Sequence, residues 1–231
     1  MKSAAVIGAN GYVGHAVCVA LEKKGAAVTR VTRVNYEGMR LGAYDVLINA
    51  AMPSKRLWAE QNPEKDFLET VQKTKDLIGG WKYKKFIQIS SVSARAQLDT
   101  VYGKNKAAAE KLCHFPGALI VRLTSMYSPD LSKGALMDIL NKRKVFVSGQ
   151  SRYSFAPLEF TASWIAGNLD RTGLVEVGAK NSISLAEIVD FLGEKIEFDG
   201  PLDIQEIQNP GPDFPDARGV LSFMDSMRKK V

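Results

Sequence analysis

The chain predicts an α/β fold, a doubly wound parallel sheet followed by a small C-terminal α+β region. Three observations predict it. Short aliphatic runs alternate with segments of helical length through the first half of the 231 residues. Those runs are continuously apolar, as strands buried on both faces of a parallel sheet are. After about residue 124 the alternation gives way to shorter, mixed elements. The expected division is residues 1–124 and residues 125–231, the second region interleaved with the core of the first.

In chain order, strands are expected at 4–7, 27–31, 46–49, 86–89 and 119–122. Helices are expected at 12–24, 63–78 and 100–113. Asn62 before Pro63 and Glu64 reads as an N-cap, a proline in the first turn and an acid at the positive helix end. Residues 36–44 are too few for a full crossover helix, so the second and third strands should be joined by an abbreviated connection. Strand alternating with helix, each crossover right-handed, winds the sheet on both faces. Further on, 136–142 and 185–192 read as helices, the latter capped by Ser184, and 145–147 and 174–177 as short strands. Asn209-Pro210-Gly211-Pro212-Asp213-Phe214-Pro215 is turn-rich and excludes regular structure.

Hydrophobic residues at 45% and charged residues at 24% exclude a disordered tail, a collagen-like chain and a disulfide-stapled miniprotein. The formal charge is +6. Its densest basic runs, Lys82-Tyr83-Lys84-Lys85, Lys142-Arg143-Lys144 and Arg228-Lys229-Lys230, are scattered, which argues against a nucleic-acid partner. A positive field equally suits a small phosphorylated ligand. Cys18 and Cys113 lie in helical apolar patterns and read as reduced core residues. His15 and His114 are isolated, so no metal site is expected. No apolar stretch reaches the roughly 18 residues that span a bilayer. The first strand begins almost at Met1, leaving no room for a leader. A cytoplasmic protein without a membrane partner is expected.

Gly8-Ala9-Asn10-Gly11-Tyr12-Val13-Gly14 follows the first strand and opens a helix. One glycine permits the tight turn, one lets backbone approach a pyrophosphate, and one lets the helix pack on the sheet. The helix N-terminus then presents N–H groups and partial positive charge to phosphates. Its position after the first strand favours a Rossmann-like arrangement for a dinucleotide; the plain alternative is a mere strand–helix turn. At the end of the second strand, where an acid would hold a ribose 2′-hydroxyl, stands Arg30-Val31-Thr32-Arg33. An arginine grips a 2′-phosphate bidentately where a carboxylate repels it. NADP(H) is therefore expected ahead of NAD(H), with Thr32 and Arg33 at that end of the site. The plain alternative is that both arginines are solvated strand ends.

Tyr102-Gly103-Lys104-Asn105-Lys106 opens a helix. Four residues apart, the Tyr102 phenol and Lys106 ammonium share a face. A cation beside a phenol favours the phenolate, so the Tyr102 pKa is expected to fall toward neutrality, fitting it for proton transfer. The fourth strand ends in Ile89-Ser90-Ser91, at the carboxyl edge where open sheets bind ligands. Ser91 there can orient a substrate carbonyl; Ser90 and Ser93 are reserve candidates.

The order Gly8-x-x-Gly11-x-x-Gly14, Asn49-Ala50-Ala51, Ser91, Tyr102-x-x-x-Lys106 resembles the short-chain dehydrogenase/reductase superfamily. Its extended branch of nucleotide-sugar epimerases, dehydratases and 4-ketoreductases fits best, over about residues 2–195. The resemblance implies that Tyr102 exchanges a proton with a sugar hydroxyl or ketone, that Ser91 hydrogen-bonds the reacting oxygen, and that Lys106 binds the nicotinamide ribose and tunes Tyr102. It implies that backbone N–H groups of Tyr12 and Val13 meet pyrophosphate, and that Ala50, Ala51 and Met52 line the adenosine side. Arg152 with Glu159, then Ser184-Leu185-Ala186-Glu187-Ile188, echo the segments that build the substrate side, where Arg152 either meets a substrate phosphate or merely caps a surface. The chain departs from the pattern in several places. Ten residues separate Ser91 from Tyr102 where a longer loop is usual. Thr70-Val71 stands for Asn-Val, Tyr127-Ser128-Pro129 for Tyr-Gly-Pro, and Met52 for a frequent glycine. The resemblance implies an oxidoreductase that reduces or epimerises a nucleotide sugar, and it leaves open a catalytically silent NAD(P)-binding sensor of the same fold. Ala107-Ala108-Ala109 would let helices approach across a homodimer or pack internally on the sheet.

Overall fold

The computed structural model describes residues 2–229, so Lys230 of the terminal basic run lies outside them. The chain divides into two compact units: residues up to Leu123 with Ala162–Val175, and Thr124–Thr161 with the residues from Glu176 on.

In the first unit β1 (Ser3–Ile7), α1 (Tyr12–Lys23), β2 (Ala27–Val31), a short α2 (Tyr36–Arg40) and β3 (Ala43–Asn49) follow one another. Next come α3 (Arg56–Gln61), α4 (Pro63–Phe67), a π-helical turn (Leu68–Gln72), α5 (Lys73–Gly80), β4 (Lys82–Ser91), α6 (Ser93–Ala96), α7 (Val101–Leu112) and β5 (Leu119–Leu123). The sheet runs β2-β1-β3-β4-β5, and Gly173–Val177 completes it as a sixth strand beside β5. All neighbouring pairs among β1 to β5 are parallel. The aliphatic runs form strands because helices cover them: Ala5, Ile7, Val31, Leu47, Phe86 and Ile120 share one core with Leu77 and Trp81. In α1 the buried residues Gly14, Val17, Cys18 and Leu21 recur at helical spacing. Both cysteines are buried free thiols. The abbreviated α2 replaces a crossover helix and leaves β2 as the edge strand.

Two boundaries move for the same reason. Both β3 and β4 begin earlier than their apolar runs, with exposed and half-buried residues before the buried ones. Lys82, Lys84 and Lys85 hide the start of β4 from a search for hydrophobic runs. Asn62 does not cap by its side chain: its Nδ2 donates back to the Trp58 carbonyl at 3.1 Å.

The second unit holds β6 (Met126–Tyr127), α8 (Ala135–Leu140), β7 (Arg152–Tyr153), β8 (Ala156–Pro157) and the start of α9 (Leu158–Gly167). The sixth sheet strand is β9 (Gly173–Val177); β10 (Ile183–Ser184), α10 (Leu185–Leu192), β11 (Ile204–Gln205) and α11 (Gly219–Arg228) follow. Small sheets β10-β7-β11 and β6-β8 frame a second core of Tyr153, Phe155, Ile183, Ile188, Val220 and Met224. Ser184 caps α10 as expected, in a reciprocal box with Glu187, and Gly193 ends it in the left-handed region at φ 64°. The expected strand 145–147 is a single bridge, Val145 to Phe198, and Phe146 beside it is exposed.

Candidate active site

The chain leaves β1 toward β2 on one side and takes up β3 on the other, so the carboxyl ends of β1 and β3 flank the topological switch point. Gly8 makes the turn there at φ +81°, and a Cβ on it would stand 2.8 Å from Ala51 Cα and 2.9 Å from the Ala50 carbonyl. A Cβ on Gly14 would meet the Gly8 carbonyl at 2.2 Å. These two glycines therefore let the β3 turn and α1 close on the same loop. Gly11 is the N-cap of α1 and brings no capping side chain, nor does the first turn hold an acid. The N–H groups of Tyr12, Val13 and Gly14 open the helix, where intrahelical acceptors are lacking. Asn10 is exposed at the tip of the turn.

At the end of β2, Asn35 organises the backbone: its Oδ1 accepts from the Thr32 N–H at 2.7 Å and its Nδ2 donates to the Arg30 carbonyl at 2.9 Å. Arg30 is gripped by Glu22, Nε to Oε1 at 3.0 Å and Nη2 to Oε2 at 2.9 Å. Arg33 is exposed and has no ion-pair partner among the described residues. Of the two arginines, only Arg33 keeps its guanidinium uncommitted.

On the β3 side, Asn49 is fully buried and shapes the turn. Its Nδ2 donates to Thr74 Oγ1 at 3.2 Å and Gln88 Oε1 at 3.1 Å, and its Oδ1 accepts from the Ala51 N–H at 3.2 Å. Gln88 Nε2 in turn donates to Met52 Sδ at 3.1 Å. Asn49 thus holds the turn through the Ala51 N–H, and Gln88 holds it through the Met52 sulfur.

The structure brings Ser91, Tyr102 and Lys106 together. The Lys106 ammonium lies 4.9 Å from the centre of the Tyr102 ring and donates to the Pro53 carbonyl, in the turn after β3, at 2.9 Å. Ser91 hydrogen-bonds the Tyr102 phenol and, through Oγ, donates to Ser93 Oγ at 3.2 Å. Ser90 is withdrawn: its hydroxyl donates to Glu110 Oε1 at 2.6 Å. The expected fall in the Tyr102 pKa does not occur. Burial raises it, outweighing the lowering by Arg56 and the Ser91 hydrogen bond. Burial also pulls the Lys106 ammonium down to about 7, against the attraction of Asp66 and Glu110. Lys106 presents its charge to the face of the ring, so desolvation of both groups decides the balance.

Several residues that hold this corner carried no motif. A Cβ on Gly103 would lie 1.9 Å from the Gln97 carbonyl, so α7 packs on the α6 turn only because glycine is there. That close approach accommodates the short Ser91–Tyr102 connection. Thr100 caps α7 through the Gly103 N–H at 2.9 Å, and Glu60 on α3 accepts the Val101 N–H at 2.7 Å. Glu110 receives Arg122 Nε at 2.9 Å and Nη2 at 2.6 Å besides Ser90, tying α7 to the ends of β4 and β5. Asp66 on α4 accepts from Asn105 Nδ2 at 2.8 Å. The available signal was the spacing itself: Tyr102, Lys106 and Glu110 stand at i, i+4 and i+8 on the buried face of α7.

Arg152 lies in the second unit. Its Nε donates to Ser182 Oγ at 3.0 Å, its Nη2 to the Ser182 carbonyl at 2.9 Å, and Glu187 and Glu206 stand within 3.4 Å. Its side chain remains 41% exposed.

The sequence matches the family model described as NAD dependent epimerase/dehydratase family over residues 4–146. Comparison with curated proteins finds no match. Among solved structures, the chain is similar to RMD from Pseudomonas aeruginosa complexed with NADPH, at 16% identity and TM-score 0.75, over 98% of this chain and 100% of that one. It is similar to the UDP-glucose 4-epimerase of Thermotoga maritima with UDP-glucose, at 13% identity and TM-score 0.74, over 99% of each chain. It is also similar to TunA, an NAD-dependent NDP-hexosamine 5,6-dehydratase of tunicamycin biosynthesis, at 15% identity and TM-score 0.79, over 100% of this chain and 99% of that one. At such identities these likenesses establish the shared α/β fold. The family match covers more than half of the chain, through the glycine turn, Ser91, Tyr102 and Lys106: the chain belongs to the NAD dependent epimerase/dehydratase family.

Proposed function

We propose that this chain is an NADP(H)-dependent oxidoreductase that reduces or epimerises a carbon of a nucleotide-activated sugar. One observation carries the reading: Ser91, Tyr102 and Lys106 meet on the buried face of α7, and Lys106 reaches the β3 turn that Gly8 touches. The residues fit a dinucleotide, since Gly8 and Gly14 leave backbone where a Cβ would intrude and α1 opens without a capping side chain. Bound there, the nicotinamide would give or take the hydride.

The chain's own groups then have distinct duties. N–H groups at the start of α1 hold the pyrophosphate, and Ala50, Ala51 and Met52 line the adenosine side. Arg33, uncommitted and exposed, holds the 2′-phosphate beside Thr32. Lys106 donates to the nicotinamide ribose. Ser91 donates to the substrate oxygen, and Tyr102 exchanges a proton with it. Arg152, part exposed in the second unit, is a donor for a substrate phosphate. Structural neighbours complexed with NADPH and with UDP-glucose, and one that is an NDP-hexosamine dehydratase, support this class. They include an epimerase and a dehydratase on one fold, so fold does not choose among reactions.

The experiment is turnover of a keto-sugar nucleotide panel with and without added NADPH. Stoichiometric NADPH consumption identifies a reductase, and turnover without external cofactor an epimerase. Absence of both, with cofactor still bound, overturns the enzymatic reading in favour of a silent sensor.

A further inference from the structure

Lys106 is 3% exposed and donates to a carbonyl rather than to a carboxylate. A buried ammonium without a counter-charge is costly, so the groups around it matter. The elements packed against α7 are α3, α4, the π turn, α5, α6 and β4. Their nearby ionisable groups are Arg56 and Glu60 on α3, Asp66 on α4, Glu69 in the π turn, Lys73 on α5 and Arg95 on α6. Only Asp66 is buried. Glu60 is spent on the Val101 N–H, and Glu69 is paired with Lys73. On α7 itself Glu110 is buried but already matched by Arg122.

Asp66 stands apart. Its carboxylate is 0% exposed, Oδ2 accepts from Asn105 at 2.8 Å, and Oδ1 has no hydrogen-bond partner among the described residues. Asn105 precedes Lys106 and lies three residues after Tyr102, so the carboxylate is pinned against the helix that bears both. Immediately after α4, the π turn widens the helix, and the Thr74 hydroxyl takes up the Thr70 carbonyl at 2.7 Å.

We propose that Asp66 is a positioning residue of this site: its buried carboxylate, pinned by Asn105 on the helix of Tyr102 and Lys106, is the counter-charge that keeps Lys106 a charged, ribose-facing donor. The field of Asp66 acts on Lys106 in the required sense, opposing desolvation. The proposal rests on the functional reading of Lys106 given above, but its test does not use turnover.

The experiment follows the Lys106 signal by NMR in full-length protein labelled at lysine Cε, with the resonance assigned by its loss in Lys106→Arg. Asp66→Asn keeps a hydrogen bond to Asn105 and removes the charge, and should lower the Lys106 titration midpoint by about one pH unit. An unchanged or raised midpoint overturns the proposal. Asn105→Ala breaks the same helix contact but leaves the charge, and should lower the midpoint less; an equal fall assigns the effect to packing and overturns it too. If Asp66→Asn does not fold, the unaltered protein suffices. The Asp66 Cγ resonance should shift across the Lys106 transition, and a flat response contradicts the coupling. Because neither cofactor nor substrate is present, failure here is separable from failure of the functional reading, which NADPH binding and turnover address.

Discussion

Helices α1 and α7 are both twelve residues long and both rest on the same sheet, yet they equip the site in opposite ways. The buried face of α1 is small and apolar, Gly14, Val17, Cys18 and Leu21, and what it offers is backbone at its N-terminus. The buried face of α7 carries Tyr102, Lys106 and Glu110, and what it offers is side chains. Each depends on one glycine at a close approach, Gly14 against the Gly8 carbonyl and Gly103 against the Gln97 carbonyl. A binding end can be built by removing side chains, whereas a reacting end must bury polar ones and then satisfy them. The second task needs the Ser90–Glu110–Arg122 clamp, Asn105 and Asp66; the first needs little beyond glycine.

This contrast predicts graded effects. Among changes read as stability, the largest falls on the α7 side. Arg122→Met leaves Glu110, 4% exposed, without its partner, and should cost about 3–5 kcal/mol in denaturant unfolding. A loss below about 1 kcal/mol would mean that the clamp is dispensable. On the α1 side, Gly14→Ala should cost about 1–3 kcal/mol, since its Cβ can be relieved only by moving backbone, and should abolish cofactor binding by fluorescence titration. Retained affinity would break the claim that this end is made of backbone.

A pH signature sharpens the comparison further. Burial holds Lys106 near 7 in the folded chain, below its unfolded value. Above pH 7 the unfolded chain binds more protons at this position than the folded one, so stability should rise with pH by up to one proton's linkage. The window closes at higher pH, because burial raises Cys18 to about 11 and Cys113 to about 12 and also raises Tyr102. Those groups stay protonated in the folded chain where the unfolded chain loses protons, and stability then falls. Lys106→Met should flatten the rise between about pH 7 and 8.5; an unaltered slope would assign it elsewhere. The smallest effect belongs to the exposed edge: Arg33→Gln should weaken NADPH binding by about 0.5–1.5 kcal/mol, roughly the net contribution of one solvent-exposed hydrogen bond, and leave NADH binding unchanged.

The same contrast explains what the sequence could tell. The α1 end was legible because backbone function leaves a spacing of glycines that few other structures require. The strands were legible where burial is continuous, and β4 was cut short where lysines alternate along its first half. At the α7 end, Tyr102 and Lys106 were legible as a pair at i and i+4. The supports were not, since Asp66, Arg122 and Glu60 lie far along the chain and each reads as an ordinary surface charge. The sequence points the Tyr102 pKa in the wrong direction because proximity to a cation is visible in it and desolvation is not. In the second unit α11 is not legible, as it opens without a capping side chain that sequence could announce.

Tyr102→Phe tests most directly the proposal that α1 binds and α7 reacts, when NADPH affinity and turnover are measured on the same preparation. The account predicts turnover reduced on the order of 10²–10⁴-fold, with the NADPH dissociation constant nearly unchanged. Full turnover in Tyr102→Phe would contradict it.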